Sequence, residues 1–450
     1  MHNIHLPADV GFIIETLENS GFSAYAVGGC VRDVMLGTMP YDWDVCTNAH
    51  PDNTVKIFNA LGFPIIKTGI KHGTVTVVVN NVNYEITTFR VDGEYEDFRR
   101  PDSVEFTDNL KLDLSRRDFT VNAMAYNPKT GVSDFFGGKE DLKNGIIKCV
   151  GDAKIRFTED ALRIMRALRF SAVLDFEIEE NTAKAVVECA HLLKHVAPER
   201  INVELTKLLC GKKVKAVLEK FRDVFAVIIP EISDMFDFEQ HSKYHIYDVW
   251  QHTVTAVENC ENQPYMRLAM LLHDIAKPVS FTMKEDGSGH FYGHCEKGSK
   301  IAWDVLKRLK YDNKTVDTVC SLIKYHDTRT VSGNQIKKLL SKIGAEMYKL
   351  LLLVQEADAK AKTPKYSKLS LALIKEAREN FEKIIEKGEC YSIKMLDING
   401  NDLAALGYKG KQIGNCLEHL LELVIEGKIE NEKQTMVKYI TVCPDLFKIV

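Results

Sequence analysis

The amino-acid sequence predicts an α+β protein in which a strand-rich head comes first and helices follow. Between residues 23 and 150, the runs SAYAVGG, YDWDVCT, GTVTVVV and NYEITTFRV are rich in β-branched and aromatic residues and are bounded by Gly or Asn. From RFTEDALRIMRALRFSAVL onward, nearly every periodic segment has helical spacing. The change of pattern near Gly151 therefore predicts a head on a small β-sheet, followed by an all-α remainder.

Length and composition indicate a globular protein of several domains. The chain has 450 residues, which favours two to four domains, and is 45% hydrophobic and 27% charged. No run of about 18 apolar residues occurs, which excludes a membrane-spanning helix. The first residues lack the basic segment of a signal peptide and predict an amphipathic helix near Pro7, with Ile13, Ile14 and Leu17 on one face.

The cysteine pattern and the net charge bear on the cellular compartment and on the kinds of partner that the protein could have. The 11 cysteines are scattered and none forms a CxxC pair, which argues against a disulfide framework and a structural zinc site and favours the cytoplasm. The net charge of −4 gives no sign of a nucleic-acid partner. An RNA would have to contact basic residues that are gathered locally.

A glycine turn followed by two carboxylates carries the first chemical signal. Gly28 and Gly29 end a predicted strand and open a helix, which lets backbone amides approach a phosphate. Asp42 and Asp44 lie two residues apart on a presumed strand, so their carboxylates share a face, while Trp43 points into the core. This pattern favours a pair of Mg²⁺ ions for phosphoryl transfer. Glu85 is either a third acid there or a surface residue.

Five ordered blocks resemble one enzyme family. GGCVRDVMLGTMPYDWDVCT is similar to the nucleotidyltransferase signature of the polymerase-beta superfamily, in the branch with bacterial tRNA CCA-adding enzymes and poly(A) polymerases. RRDFTVNAMAYNP (116–128), DFFGGKEDL (134–142), RFTEDALRIMRALRF (156–170) and PERINVEL (198–205) match in order. The resemblance implies a polymerase-beta-like head that adds C, C and A to tRNA from CTP and ATP with Mg²⁺. The nucleotide-binding residues that it implies are Gly28, Gly29, Arg32, Arg117, Asp118, Asn122, Glu159, Asp160, Arg163 and Arg166.

Residue chemistry gives some of these positions specific roles. The Asp118 carboxylate can accept from a ribose hydroxyl, which favours NTP over dNTP, and Arg117 can bind the triphosphate. Asp160 and Arg163 are expected three residues apart on one helix, where they offer an acceptor beside donors. The amino edges of cytosine and adenine fit that pair, whereas guanine and uracil would set a carbonyl against the carboxylate. The family resemblance implies that Glu159 holds Arg163 in place.

Arg99-Arg100-Pro101 resembles the flexible loop of complete CCA-adding enzymes. This similarity favours full CCA addition over CC addition.

A second constellation lies in the helical part and resembles the HD phosphohydrolase domain. An adjacent His-Asp pair follows an apolar helix, with further His and Asp residues on either side. Imidazole and carboxylate ligands suit a transition metal such as Ni²⁺, Co²⁺ or Mn²⁺ that activates water. Both an active phosphohydrolase and an inactive relic remain open. The ligands that the resemblance implies are His252, His273, Asp274, His294, His326 and Asp358.

The last segment resembles the helical, tRNA-binding tail of the same family. Lys409 and Lys411 precede an amphipathic helix, where they are placed to contact a backbone phosphate. The predicted domains are a nucleotidyltransferase head (1–150), a neck with the nucleotide-selecting helix (151–230), an HD-like body (231–362) and a tail (363–450). Three alternatives stay open: a poly(A) polymerase, a phosphohydrolase whose head senses nucleotides, and a non-catalytic tRNA-binding protein. No membrane or protein partner is indicated.

Overall fold

The computed structural model describes residues 4–93 and 103–442. The chain divides into two compact units, Met1–Pro230 and Glu231–Val450, which we call the N-terminal and C-terminal units. Arg99, Arg100 and Pro101 lie outside the described residues, so the loop hypothesis stays a prediction. The division into head, neck, body and tail also stays a prediction.

The N-terminal unit is built on a seven-stranded mixed sheet. Its strand order is β3-β4-β5-β2-β1-β8-β9, so β2 and β1 lie in the interior. β4 alternates buried and half-buried residues, as expected for a strand with one face on the core. The strands are β1 (Ala24–Val27), β2 (Asp44–Thr47), β3 (Ile65–Ile66), β4 (Thr74–Val79), β5 (Val82–Thr88), β8 (Met124–Asn127) and β9 (Gly131–Asp134), with β6 (Arg90–Asp92) and β7 (Val104–Phe106) forming a separate ribbon.

Helices surround this sheet and continue to the end of the unit. The predicted first helix is confirmed: it spans Ala8–Asn19 and buries Ile13, Ile14 and Leu17. The helices are α1 (Ala8–Asn19), α2 (Gly29–Met35), α3 (Pro51–Ala60), α4 (Leu110–Ser115), α5 (Gly138–Asn144), α6 (Ala153–Glu159), α7 (Leu162–Leu174), α8 (Glu180–Glu188), α9 (Pro198–Leu209), α10 (Val214–Lys220) and α11 (Arg222–Ile228).

The region after Gly151 is mainly helical, but not wholly. β10 (Ile146–Ile147) pairs in parallel with β11 (Glu177–Ile178). β12 (Phe281–Met283) and β13 (Gly289–Phe291) form an antiparallel hairpin within the part of the chain that was predicted to be all-α. Two or three residues are too short a run for periodicity to reveal a strand.

The C-terminal unit is helical apart from that hairpin. The predicted break near residue 363 coincides with the start of α17, which packs on α16. The helices are α12 (Val249–Asn259), α13 (Pro264–Leu272), α14 (His294–Arg308), α15 (Asn313–Tyr325), α16 (Gly333–Lys360), α17 (Pro364–Glu386), α18 (Gly400–Ala405), α19 (Lys411–Ile425) and α20 (Lys433–Val442).

The end of the described chain has a core of its own. Leu403, Leu420, Ile425, Met436 and Ile440 are buried together between α18, α19 and α20. Over the ranges 4–93 and 103–442, we find no helix with the length and apolar character needed to cross a bilayer.

Candidate active site and candidate metal centre

The glycine turn and the first carboxylates meet at one edge of the sheet. Val27, the last residue of β1, lies opposite Asp44, the first residue of β2. Gly28 follows with a φ of 85°, in the region that favours glycine. A Cβ on Gly28 would lie 3.0 Å from Nη1 of Arg117. The turn, Arg117 and Asp44 therefore belong to one site.

The backbone of the turn is partly bonded already. The amide of Gly28 donates to the carbonyl of Met124 at 3.0 Å, and the role of Gly28 and Gly29 in binding a phosphate stays a prediction. Arg32, on α2, donates through Nη1 to Oδ1 of Asn122 at 2.6 Å and through Nε to Asp33 at 2.8 Å. Arg32 and Asn122 are thus linked directly, as members of one nucleotide site would be.

The two predicted metal acids lie together, although not on one strand. β2 begins at Asp44, so Asp42 precedes it, and the expectation of a shared strand is wrong. Trp43 and Val45 are buried as predicted, while Asp42 and Asp44 are exposed. The parallel pairing of Val45 with Ile86 sets the exposed Glu85 beside Asp44 on the neighbouring strand.

The electrostatics of Asp44 show that these acids interact. The protein wall around the carboxyl removes water and raises its pKa to about 6, although the residue as a whole stays open to solvent. Arg117 acts in the opposite direction, and the charges of Asp42 and Glu85 raise the pKa further. Oxygen donors that repel one another at an open site fit a divalent cation such as Mg²⁺.

Asp118 lies at the centre of a hydrogen-bonded network. Its Oδ1 accepts from the amide of Phe119 at 2.8 Å and from Asn122 at 3.0 Å. Its Oδ2 accepts from Nε and Nη2 of Arg166 at 2.8 and 2.5 Å. Burial alone would raise the pKa of Asp118, but Arg166 and Asn122 lower it to about 2. The structure therefore brings Arg32, Asn122, Asp118 and Arg166 together.

Glu159 holds Arg163, as the sequence indicated. Oε2 of Glu159 accepts from Nη1 of Arg163 at 2.8 Å, and Oε1 contacts Arg156 at 2.6 Å. Arg163 also donates to the carbonyls of Arg116 and Arg156 at 2.8 and 3.3 Å. These contacts fix the buried guanidinium of Arg163.

Asp160 is placed differently from the expectation of one continuous helix. It is extended, with φ −135° and ψ 101°, in the break between α6 and α7, so the predicted i,i+3 pair on a single helix is wrong. Its Oδ1 accepts from the amide of Leu162 at 3.1 Å. Its two oxygens accept from Nη1 and Nη2 of Arg200 at 3.3 and 3.1 Å. Asp160 is thus oriented by an arginine from α9.

Sequence reasoning missed these partners. Arg200 lies within PERINVEL and Arg156 within RFTED, so both blocks were recognised without these arginines being singled out. Phe170 was missed too: the guanidinium carbons of Arg32, Arg166 and Arg169 lie 5.0, 5.3 and 3.9 Å from its ring centroid. Only a three-dimensional arrangement reveals that these arginines share one ring.

All six predicted ligands of the second constellation come together in the C-terminal unit. His252 lies on α12, and His273-Asp274 directly follow α13. Each of the six residues is buried, although their elements are spread over more than 100 positions. The remaining three are His294 at the start of α14, His326 directly after α15 and Asp358 near the end of α16.

Asp274 connects two groups of ligand atoms. Its Oδ2 lies 3.1 Å from Nε2 of His273 and 3.5 Å from Nε2 of His252, which contacts Asp358 at 3.0 Å. Its Oδ1 lies 3.6 Å from Nε2 of His294 and 3.7 Å from Nε2 of His326. The two oxygens of one carboxylate thus face two separate donor groups.

Unpaired atoms in this cluster fit a bound cation. Among the described residues, Nε2 of His273 and both oxygens of Asp274 have no aligned hydrogen-bond partner. Buried polar atoms are normally paired, so nitrogen and oxygen atoms that converge without an aligned hydrogen bond are suited to hold a cation. Burial alone would raise the pKa of Asp274, but His273 and Lys277 keep it well below its usual range.

A pocket of about 830 Å³ opens at the cluster, and both cationic and acidic side chains line it. Lys277 approaches Asp274 at 2.7 Å, and Lys362 approaches Asp358 at 2.5 Å. Arg329 also lines the pocket. Its volume suits a small organic ligand, and its cations suit an anionic one.

Sequence reasoning missed two residues of this cluster. The ring of His245 lies 4.8 Å from that of His252, and Sγ of Cys295 lies 3.5 Å from Nε2 of His294. Burial lowers the pKa of His245 to about 2, so this imidazole is neutral. The adjacency of Cys295 to His294 in the sequence was a signal that could have found the thiol.

The tail lysines are exposed on either side of Gly410. The amide of Lys409 donates to Oε1 of Gln412 at 3.2 Å, so that amide is already bonded. Lys411 is the first residue of α19. The side chains can reach a phosphate, and their RNA-binding role stays a prediction.

Comparison with known proteins decides the family. The chain is 34% identical to a CCA-adding enzyme of Ligilactobacillus salivarius over 438 residues, covering 95% of this chain and 94% of the relative. The chain belongs to the family of CCA-adding enzymes. A CCA-adding enzyme of Limosilactobacillus fermentum is 33% identical, with 95% and 94% coverage. The predicted tRNA nucleotidyltransferase is thereby confirmed.

Family models and solved structures agree with this assignment. Three models match: the poly A polymerase head domain at residues 24–148, the probable RNA and SrmB-binding site of polymerase A at 175–236, and tRNA nucleotidyltransferase domain 2 at 294–440. The CCA-adding enzyme of Bacillus stearothermophilus, solved in complex with CTP, is 26% identical with a TM-score of 0.70 and 97% coverage of both chains. The Thermotoga maritima enzyme, complexed with tRNA, shares the fold at 21% identity, a TM-score of 0.62, and 97% and 96% coverage. The predicted fold, an α+β nucleotidyltransferase head with a helical body, is confirmed.

Proposed function

We propose that this protein adds C, C and A to the 3′ end of tRNA from CTP and ATP, in the cytoplasm. The observation that carries the proposal is the group of Asp42, Asp44 and Glu85 beside the Gly28 turn and Arg117. The names of the relatives, and the CTP and tRNA in the two solved structures, support the same substrates.

Asp42 and Asp44 would hold two Mg²⁺ ions. When bound, Mg²⁺ neutralises phosphate charge and favours attack by the 3′ hydroxyl. Arg117 lies next to Asp44 and is positioned to hold the triphosphate, while Arg32 approaches the same turn from α2. Asp118, already fixed by Arg166 and Asn122, presents a charged acceptor at the same network.

Base choice would belong to Asp160 and Arg163. Glu159 fixes Arg163, and Arg200 orients Asp160, so each side chain has a separate support. The Asp160 carboxylate can accept from the amino groups of cytosine and adenine, and it repels the carbonyl oxygens of uracil and guanine. Asp160 lies in the break between α6 and α7, and Arg163 lies in the first turn of α7.

The resemblance to the family supports three further proposals, on RNA-binding residues, on a loop and on the domains. Lys409 and Lys411 would contact the tRNA backbone, where a lysine acts as a point charge on phosphate. The loop at Arg99-Arg100-Pro101 would permit the final A. The head, neck, body and tail would divide the chain as the sequence predicts.

The test is incubation of the full chain with tRNA that lacks CCA, together with CTP, ATP and Mg²⁺, and sequencing of the 3′ ends. CCA on the product supports the proposal. A run of A alone would indicate a poly(A) polymerase instead. An unchanged 3′ end would exclude both activities.

A second function is proposed for the C-terminal unit: metal-dependent hydrolysis of phosphate esters. The convergence of His252, His273, Asp274, His294, His326 and Asp358 on unpaired buried atoms favours it. A transition metal such as Ni²⁺, Co²⁺ or Mn²⁺ held there would lower the pKa of a water. Lys277, Lys362 and Arg329 are cations that could contact a phosphate group in the adjoining pocket, which Asp327 and Glu376 also line.

The test measures hydrolysis of a 2′,3′-cyclic phosphate and of a simple phosphate ester with and without each metal. Stimulation that saturates with metal supports the proposal. Hydrolysis that never rises above that of the buffer would make the cluster a structural relic.

A further inference from the structure

Cys295 lies inside the metal cluster. It is the second residue of α14, directly after His294, and it lines the pocket. Its Sγ lies 3.5 Å from Nε2 of His294, which in turn lies 3.3 Å from Nε2 of His326. The three atoms lie within 4.8 Å of one another and form a group that can hold a metal ion.

The distances match a tetrahedral shell that contains sulfur. Zinc binds imidazole nitrogen at about 2.0–2.1 Å and thiolate sulfur at about 2.3 Å. At tetrahedral angles these bond lengths separate two nitrogens by about 3.3 Å, and a nitrogen from a sulfur by about 3.6 Å. The observed separations are 3.3 and 3.5 Å. The side chains therefore already have the spacing of a ligand shell.

Both imidazoles are held with Nε2 facing the shell. Nδ1 of His294 lies 2.8 Å from the carbonyl of Phe291, and Nδ1 of His326 lies 2.7 Å from the carbonyl of Ile323. A carbonyl only accepts, so each Nδ1 carries the proton and each Nε2 keeps a lone pair for a metal. Such backbone contacts are the usual support of a ligating histidine.

Asp274 supplies the fourth donor. Its Oδ1 lies 3.6 and 3.7 Å from the two Nε2 atoms and has no hydrogen-bond partner among the described residues. The residue is 1% exposed, so its carboxylate has little contact with bulk solvent. A buried oxygen aimed at the group is an observation independent of the thiol.

The other half of the cluster has no sulfur ligand in its group. His252, His273 and Asp358, with Oδ2 of Asp274, offer only nitrogen and oxygen. We infer that Cys295, His294, His326 and Asp274 form a separate metal-binding position that contains a thiolate ligand. This inference rests on the proposed metal-dependent function of the cluster. A thiolate favours Zn²⁺ or Co²⁺ over Mg²⁺ or Mn²⁺. Metal binding displaces the thiol proton, which passes to solvent.

The experiment titrates the full chain with Co²⁺ in the presence of excess Mg²⁺, which fills the carboxylate site of the N-terminal unit. A cobalt–thiolate bond gives a charge-transfer absorption in the near ultraviolet, whereas nitrogen and oxygen ligands do not. Bound cobalt is counted by dialysis and elemental analysis. The variants are Cys295→Ser and, as a matched control on α15, Cys320→Ser.

We expect the charge-transfer band in the wild type and in Cys320→Ser, and its loss in Cys295→Ser. The Cys295→Ser variant should also bind Zn²⁺ at the thiolate position at least about tenfold more weakly. Cobalt bound without the band, or a band that survives in Cys295→Ser, would overturn the thiolate position and leave the phosphohydrolase proposal standing. A wild type that retains no cobalt would overturn both.

Discussion

Buried Asp118 and half-buried Arg166 form an ion pair in which two guanidinium nitrogens share one carboxylate oxygen, at 2.8 and 2.5 Å. The other oxygen of Asp118 is bonded to the amide of Phe119 and to Asn122. This arrangement ties α7 to the loop after α4. It also sets the charge of Asp118 permanently, because its pKa is lowered to about 2.

The first prediction concerns stability and pH. Asp118→Asn keeps the shape but removes the charge, and should lower the free energy of unfolding at pH 7 by roughly 2 kcal/mol. A lowered pKa stabilises the fold above the unfolded value, 3.8, and that contribution is lost as pH falls through about 2. Denaturant unfolding from pH 7 to pH 3 should therefore show a constant difference that shrinks only below about pH 4.

Glu188→Gln is the control, because Glu188 pairs with Lys154 where both side chains are more than half exposed. Water screens such a pair, so its loss should leave stability within error of the wild type. An Asp118→Asn variant as stable as this control would show that the buried pair contributes nothing.

The second prediction concerns the glycine turn. Gly28→Ala must accept a φ of 85° and a methyl group 3.0 Å from Arg117, so it should lose stability and raise the KM for CTP. Gly37→Ala is the matched control, because Gly37 has a φ of 74° and an added methyl group there would have no atom within 4 Å. Backbone strain alone costs roughly 1–3 kcal/mol in either variant, so the KM for CTP is the quantity that distinguishes them. Equal KM values for CTP in the two variants would show that Arg117 does not take part in nucleotide binding.

The third prediction concerns the metal acids. Asp42→Asn and Asp44→Asn should each reduce CCA addition by at least about a hundredfold, because an amide holds Mg²⁺ less well than a carboxylate. Filter binding should give a tRNA affinity within a few-fold of the wild type, since phosphate contacts dominate it. Asp52→Asn, at an exposed carboxylate of α3, is the control. Full activity in either variant would remove its residue from the metal site.

The fourth prediction concerns the second cluster. Asp274→Asn removes the carboxylate that faces both donor groups and should abolish metal-stimulated phosphate-ester hydrolysis while CCA addition continues. Asp317→Asn, at an exposed position on α15, should alter neither activity. Hydrolysis that persists in Asp274→Asn would have to arise from residues outside the cluster.

Local patterns predicted much of this molecule. The spacing of apolar residues predicted α1. The alternation of residue types from 42 to 45 predicted that Trp43 and Val45 are buried while Asp42 and Asp44 face away from the core. The resemblance to the HD domain singled out all six members of the buried His–Asp cluster, although they lie far apart in the chain. Features that short segments specify were therefore accessible from the sequence.

Other features depend on tertiary contacts and were not predictable. Asp160 looked helical, but the helix breaks there, and its carboxylate accepts from the amide of Leu162 and pairs with Arg200 from another helix. The two-residue strand β10 forms only because β11 lies beside it. The sequence shows that Cys295 is next to His294, but its proximity to His326, 31 residues away, depends on the packing of α14 on α15.

The support given by Arg200 refines the expected role of Asp160. Removing the carboxylate by Asp160→Ala should abolish both the attraction for cytosine and adenine and the repulsion of uracil and guanine. Arg163→Ala should reduce the overall rate more, because it leaves Glu159 and Asp160 near the triphosphate without that cation. Arg200→Ala keeps the Asp160 carboxylate but removes the arginine that orients it. The preference of this variant for C and A over U and G should therefore lie between those of the wild type and Asp160→Ala.

The measurement that tests the account most directly is kcat/KM for all four nucleotides on tRNA that ends at the discriminator base, in the wild type and Asp160→Ala. The wild type should use CTP on this end and ATP after two C additions, with UTP and GTP far behind. In Asp160→Ala the preference should fall by about 10- to 150-fold, as the loss of one charge-assisted bond implies. A variant that slows on all four nucleotides equally and keeps the preference for C and A would contradict the account.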